Sequence, residues 1–389
     1  MRRWLILALL SPGILIPMRA WTAVSFPAGA QESPDDPSEG SGDERGRGAD
    51  RAVFREITED QREAVRRGLE YLVAQQDPHK GFFKPHLQEQ RGRIAITALA
   101  CLSLMANGNS DGRGRYGEHL GKGIRYLMRN TKRAPGDKLD GYISTPGDDL
   151  SRMHGHGFAT LALAEAYGMY GENPEARAGS FSGTELKECI QAAIGLIERT
   201  QSSEGGWYYH PDYSGSHEGS ITICELQALR SAHKAGFDVD RKTIRAAEQY
   251  LRDSQKPDGS FRYTLRDPRS SYALTGAAIS TFHALGLYDT PEIRRGMDYL
   301  ERNFEQFLYR SNYFYYAAFY AGQAMFHSRI SNHWEEWFAR VREHLLARQR
   351  SDGSWGMMQP SEDHGPTYAT AMATLVLQIP YRYLPIYQR

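Results

Sequence analysis

Apolar residues recur at i, i+3, i+4 and i+7 in six segments that begin at Arg67, Gly123, Ala193, Ala247, Gly296 and Arg342. Each has a charged opposite face, which predicts an amphipathic helix burying one stripe. Between them lie six segments that are apolar on most sides and rich in Ala, Gly, Ser and Thr, from Arg93, His156, Ser220, Ser271, Asn312 and Pro366. A helix apolar all round must be buried, and its small residues let neighbours approach closely. The striped segments repeat at intervals of about 45 to 70 residues, enough for two helices and two loops per unit. Sustained alternation, the signal of a strand, is nearly absent. The pattern predicts an all-α fold: six helical hairpins closed into an (α/α)6 toroid, striped helices outside and apolar helices inside. An open solenoid is the rival, but no capping repeat marks either end.

The turn between the two helices has a recurrent grammar of Gln, a few polar residues, Gly and an aromatic residue. It reads Gln76…Gly81-Phe82-Phe83, Gln201…Gly205-Gly206-Trp207, Gln255…Gly259-Ser260-Phe261 and Gln349…Gly353-Ser354-Trp355. Glycine supplies a left-handed turn residue. The Gln amide can reach backbone groups left unpaired at a helix end, and the aromatic ring packs across the hairpin. The second unit keeps only Gly141-Tyr142, and the fifth lacks the motif.

From Arg67 to the C-terminus these four copies resemble the repeats of squalene cyclases and of protein prenyltransferase β-subunits, within the terpenoid cyclase superfamily. The resemblance implies a six-hairpin α/α toroid whose working residues sit in a cavity near the N-terminal ends of the inner helices. It does not carry over the chemistry. The Asp-x-Asp-Asp acid of class II terpene cyclases has no counterpart, the nearest fragments being Asp148-Asp149 and Asp35-Asp36. The Asp-x-Cys pair and later His that hold zinc in prenyltransferases are missing: Cys224 follows Thr222, and the last inner segment starts Thr367-Tyr368. Cys224-Glu225-Leu226-Gln227 lacks the glycines of a thioester motif. No metal or other cofactor is therefore expected.

Charge and composition remove other classes. Lys plus Arg and Asp plus Glu are both 47, which leaves no concentrated basic surface for nucleic acid. Arg2 and Arg3, the apolar run Trp4 to Met18 and the small residues Ala28-Gly29-Ala30 predict a signal peptide over residues 1–30 and export to the periplasm or beyond. An uncleaved anchor is the alternative, and no other transmembrane segment is expected. Residues 31–52 are polar and rich in Gly, Ser and Pro, which predicts a disordered tether. The toroid then takes residues 53–389. The three thiols Cys101, Cys189 and Cys224 lie among apolar residues and read as buried and free, with a Cys189–Cys224 bridge as the alternative.

Polar residues gather where inner helices begin: Asp148, Asp149, His154 and His156 in unit two, His210, His217 and Glu218 in unit three, and Glu362, Asp363, His364 and Tyr368 in unit six. They suit acid–base work, metal binding or simple helix capping. Tyr313, Tyr316 and Tyr320 share one helical face and supply an aromatic wall or core packing. The C-terminal Tyr381 to Tyr387 is expected to be an extended strap across the ring. Three functions follow. The first is a non-catalytic module that holds an apolar small molecule, a peptide or a glycan. The second is an isoprenoid enzyme with a different acid, and the third a glycan-active enzyme needing two facing carboxylates.

Overall fold

In the computed structural model both kinds of segment are helical. It describes residues 57–85, 92–146, 152–169, 181–211, 215–328, 333–359 and 364–388. The expected signal peptide and tether, and the Asp148-Asp149 and Glu362-Asp363 pairs, lie outside these residues. The striped helices are α1 (Glu59–Ala74), α3 (Gly117–Arg129), α5 (Gly183–Arg199), α7 (Arg241–Ser254), α9 (Pro291–Arg302) and α12 (His333–Leu346). The apolar ones are α2 (Arg93–Ala106), α4 (Arg152–Gly168), α6 (Gly219–Lys234), α8 (Tyr272–Ala284), α11 (Phe314–His327) and α13 (Gly365–Leu377). A short α10 (Phe304–Arg310) stands in unit five, and a two-residue pair joins β1 (Phe261–Arg262) to β2 (Ser270–Ser271).

Hydroxyl and carboxylate caps start four of the outer helices. Thr58 accepts from the amide of Gln61, Ser182 from Glu185, Asp240 from Lys242, and Thr290 from Ile293 with Pro291 at the first helical position. Burial follows the two sequence patterns. In α1 only one stripe is buried, including Val65, Leu69 and Leu72, whereas every residue from Tyr272 to His283 of α8 is buried. The apolar helices pack α2 on α4, α4 on α6, α6 on α8, α8 on α11 and α11 on α13, and α13 returns to α2. The striped helices back onto them, and α12 also touches α1. The architecture is an all-α toroid, and each turn delivers the chain to the N-terminal end of an inner helix.

The turns lock neighbouring units. Each Gln amide donates twice. It reaches the carbonyl of its own turn glycine: Gly81 at 3.0 Å, Gly205 at 2.9 Å, Gly259 at 3.1 Å and Gly353 at 2.9 Å. It also reaches a carbonyl in the next outer helix: His119, Thr243, Glu292 and Ala64, all at 2.8 to 2.9 Å. The turn glycine has φ near +90° and sits against that same helix. A Cβ on Gly205 would lie 2.2 Å from the carbonyl oxygen of Ala246, so no side chain fits. In unit three this residue is Gly205 and not Gly206, which lacks the positive φ. The backbone amide of the motif's last residue then binds an inner-helix hydroxyl: Phe83 to Thr97, Trp207 to Thr222, Phe261 to Thr275 and Trp355 to Thr370. The indole N–H groups of Trp207 and Trp355 cap carbonyls of Ile197 and Leu345 in their own outer helices.

The second unit keeps this geometry with other residues. Thr131 pairs with Ile143 as Gln76 pairs with Phe83, and Gly141 has φ +86°. The C-terminal strap is not extended. It forms two 3-10 turns, Ile379–Tyr381 and Pro385–Tyr387, because buried Leu384 and Tyr387 turn inward onto the core. The three cysteines are free and buried. Among the described residues no helix is long and apolar enough to cross a membrane.

Candidate functional site

The inner-helix N-termini converge on one end of the ring, and tyrosines crowd it. Tyr209 leaves the third turn, and its carbonyl accepts from the amide of Met153 at 3.1 Å, tying that turn to the start of α4. The carbonyl of Tyr263 similarly accepts from Gly219 at 2.6 Å at the start of α6. His154, one helical turn before Phe158, presents its ring to Phe158, Tyr209 and Tyr316 at centroid distances of 6.4, 6.3 and 6.5 Å. Tyr316 packs on Tyr320 at 4.7 Å, one turn deeper in α11. Across the mouth His364 meets Tyr368 edge-on at 5.0 Å, and Tyr368 meets Tyr315 at 6.4 Å. Tyr313 and Tyr208 are exposed at the entrance.

Two carboxyl groups stand on α6 within this assembly. Glu218 caps the helix: one oxygen accepts from the amides of Ser220 (2.8 Å) and Ile221 (3.1 Å) and from the Ser220 hydroxyl. Its other oxygen is buried with no hydrogen-bond partner among the described residues. Glu225, two turns further along the same face, is fully buried, and neither of its oxygens has such a partner. Gly157 of α4 leaves room beside it, since a Cβ there would approach Cys224 Sγ to 2.7 Å and Glu225 Oε2 to 3.2 Å.

Burial pushes these groups toward their uncharged forms. His154 is held down at about 4, chiefly by desolvation and then by the charge of His364. Desolvation raises the carboxyl of Glu218, against the bonds from Ser220 and Ile221, and raises that of Glu225 well above the usual range. The phenols of Tyr209, Tyr316 and Tyr320 are raised by burial first and by neighbouring acids and phenols second. The mouth thus offers aromatic faces for stacking, hydroxyls that donate and accept, and carboxyl oxygens with spare acceptor capacity, with Arg269 over the Tyr263 ring at its edge.

Of the residues singled out in the sequence, His154, Glu218, Tyr313, Tyr316, His364 and Tyr368 come together here. His156 and His217 do not. His156 is fully buried and its Nδ1 accepts from the amide of Ile143 at 3.2 Å, which is the position of the threonine in the other units. Burial depresses it to about 3. His217 faces outward: Nδ1 meets the Tyr250 hydroxyl at 3.0 Å and Nε2 meets Glu204 at 2.9 Å. His210 is exposed. Tyr209, Tyr263 and Glu225 belong to the mouth and were not singled out. The first two sit in irregular turns without a motif, and Glu225 reads as an ordinary helix residue until its neighbours are placed. Among the described residues no group of three or more His, Cys, Asp or Glu is placed to hold a metal ion.

The chain matches the prenyltransferase alpha-alpha toroid domain over residues 43–141 and 180–383, more than half its length. The unmatched stretch contains α4, where His156 replaces the threonine. Among solved structures it is similar to a variant of the type II terpene cyclase MstE from Scytonema bound to geranylgeranyl dihydroxybenzoate. That likeness has a TM-score of 0.57 at 15% identity, over 84% of this chain and 98% of that one. It is also similar to the α-1,6-mannanase GH76A of Salegentibacter sp. HEL1_6, with a TM-score of 0.60 at 10% identity over 82% and 99%. An inactive variant of the same mannanase, with two consecutive aspartates replaced by asparagine, is bound to α-1,6-mannotriose and aligns with a TM-score of 0.59 at 10% identity over 81% and 97%. At these identities the likeness is one of fold. No curated protein matches the chain in sequence.

Proposed function

For a chain that belongs to the prenyltransferase alpha-alpha toroid domain family, we propose an exported binding protein whose tyrosine-lined mouth holds an uncharged ligand with a flat or apolar face. The observation that carries this reading is the mouth itself: His154 depressed to about 4 among Phe158, Tyr209 and Tyr316, beside carboxyl groups that burial drives toward the acid form. Such a surface stacks on sugar rings or hydrocarbon and hydrogen-bonds hydroxyls, while Arg269 over the Tyr263 ring is paired with Asp267 rather than left open to a diphosphate. Export rests on the basic and apolar pattern of residues 1–30.

Terpene cyclisation through Glu225 is disfavoured by acidity. Protonating an alkene needs a strong acid, whereas desolvation makes this carboxyl a weak one. A second reading, glycan hydrolysis, has one specific support. Asp148 and Asp149 are consecutive and precede α4, and the mannanase with a consecutive aspartate pair replaced is described as inactive.

Calorimetric titration of the purified protein with mannotetraose, geranylgeraniol and geranylgeranyl diphosphate separates these readings. A neutral compound is expected to bind, the diphosphate no more tightly than its alcohol, and Tyr209→Ala or Tyr316→Ala to weaken binding about tenfold. Preference for the diphosphate, or indifference to both substitutions, would sink the binding reading. Turnover of α-mannan that Asp148→Asn with Asp149→Asn abolishes would establish the second.

A further inference from the structure

The opposite end of the ring, where the inner helices finish, carries a different chemistry. A cavity there is walled by Arg230 and Lys234 of α6, His283 of α8, Tyr288, His327 of α11, and Ile386 of the C-terminal strap. Its volume is about 30 Å³. A single water needs roughly 10–15 Å³ by the same measure, so the occupant is one small group, not an extended ligand.

Arg230 and Lys234 are four residues apart on α6, which places two like charges side by side on one face, an arrangement that destabilises a helix. Helix carbonyl ends attract basic residues, and Arg230 Nε does donate to the last carbonyl of α8, at Ala284, 3.0 Å away. Its terminal nitrogens and the Lys234 ammonium make no hydrogen bond or ion pair among the described residues. The acid nearest to them, Glu165, is occupied. One oxygen accepts from the Ser231 hydroxyl at 2.5 Å and the other from the amide of Ile386 at 3.1 Å. Desolvation lowers both cations from their ordinary values, against the pull of Tyr288 on Arg230 and of Glu165 on Lys234, and repulsion from Arg230 lowers Lys234 further.

We propose that this cavity beneath the C-terminal strap binds a small oxyanion, a carboxylate or phosphate group, held by the Arg230 guanidinium and the Lys234 ammonium. Arginine offers the planar fork that fits two oxygens of such a group, and lysine a point charge beside it. The anion relieves the repulsion between the two cations. It also settles against the strap, because Ile386 has its amide held by Glu165 and its carbonyl by His327 Nε2 at 2.9 Å. The site is separate from the tyrosine-lined mouth and does not depend on what binds there.

The test titrates inorganic phosphate, and separately acetate, into the full-length protein at constant ionic strength. Thermal unfolding and hydrogen exchange of the Leu384–Gln388 amides are followed. A saturable rise in melting temperature with slower exchange in the strap is expected for one or both anions. Arg230→Gln with Lys234→Gln should weaken the effect at least tenfold. Lys234→Gln alone, at an exposed position, keeps the test open should the double variant unfold. A response matched by chloride, one that never saturates, or one unchanged by the substitutions would overturn the proposal.

Discussion

Gln349, in the last turn, donates its side-chain amide to the backbone carbonyl of Ala64 in the first helix, 2.8 Å away. Gln76, Gln201 and Gln255 make the same bond to the outer helix that follows each of them. For Gln349 the next unit around the ring is the first in sequence. One repeated local interaction thus joins the two ends of the domain across 285 residues.

Gln349→Ala removes both bonds of that amide and leaves the carbonyls of Ala64 and Gly353 without this donor. A loss of about 1–3 kcal/mol is expected. Gln201→Ala, the equivalent change inside the chain, should cost a similar amount. Urea denaturation checks the pair. An unchanged midpoint for Gln349→Ala beside a lowered one for Gln201→Ala would mean that closure rests on other contacts.

Gly136 and Gly141 share a positive φ, +88° and +86°, and differ in surroundings. A Cβ on Gly136 meets nothing within 4 Å, while one on Gly141 would lie 1.9 Å from the carbonyl oxygen of Ala192. Gly136→Ala should therefore cost only the strain of the left-handed conformation, about 1–2 kcal/mol. Gly141→Ala should push α5 away and cost several times more. Equal melting temperatures for the two variants would contradict the packing described here.

His156 and His154 are depressed to about 3 and about 4, below an ordinary value of 6.5. A group depressed on folding gives stability that is present above its unfolded pKa and is lost as pH falls towards the folded one. The wild type should accordingly lose stability between about pH 6.5 and 3. His156→Gln lacks this term, so its deficit against wild type should shrink between pH 7 and pH 4. Chemical denaturation at the two pH values measures it, and a deficit that stayed constant would show that His156 titrates alike in the folded and unfolded chain.

Glu165 acts in the other direction. Burial raises its carboxyl from 4.5 to about 7, against bonds from Ser231 and Ile386. Its contribution is fully present below pH 4.5 and is lost as pH rises through 7. Glu165→Gln should gain on wild type between pH 5 and pH 8, by an amount on the order of 3 kcal/mol at most. Melting curves of both proteins at the two pH values decide it. A Glu165→Gln variant that loses ground to wild type as pH rises would mean that the carboxylate is stabilised as an ion.

Much of the scaffold is readable from side-chain pattern alone. The stripe of α1, with Val65, Leu69 and Leu72 buried, and the all-round burial of α8 follow from helical periodicity, because the 3.6-residue turn decides which positions face the same way. The turn motif is legible too, since Gln, Gly and an aromatic residue each satisfy a specific bond or clearance at those places. Its limit shows in unit two. There Gly141 keeps its place, but Thr131 and Ile143 build the same turn where the motif has Gln and an aromatic residue.

The mouth was only half legible. Asp or His at a helix start has the same sequence signature whether it caps the helix, wets a rim or lines a site. His154 and His156 are two residues apart, yet one faces Tyr209 and Tyr316 while the other takes a threonine's place behind the turn. Local sequence determined that this chain makes paired helices with locked turns, because those choices depend on near neighbours. Only the tertiary structure decided that Tyr209, Tyr316 and Glu218 meet at one end and Arg230 and Lys234 at the other. Burial and charge there are set by groups from distant units, and a desolvation energy depends on all of them at once.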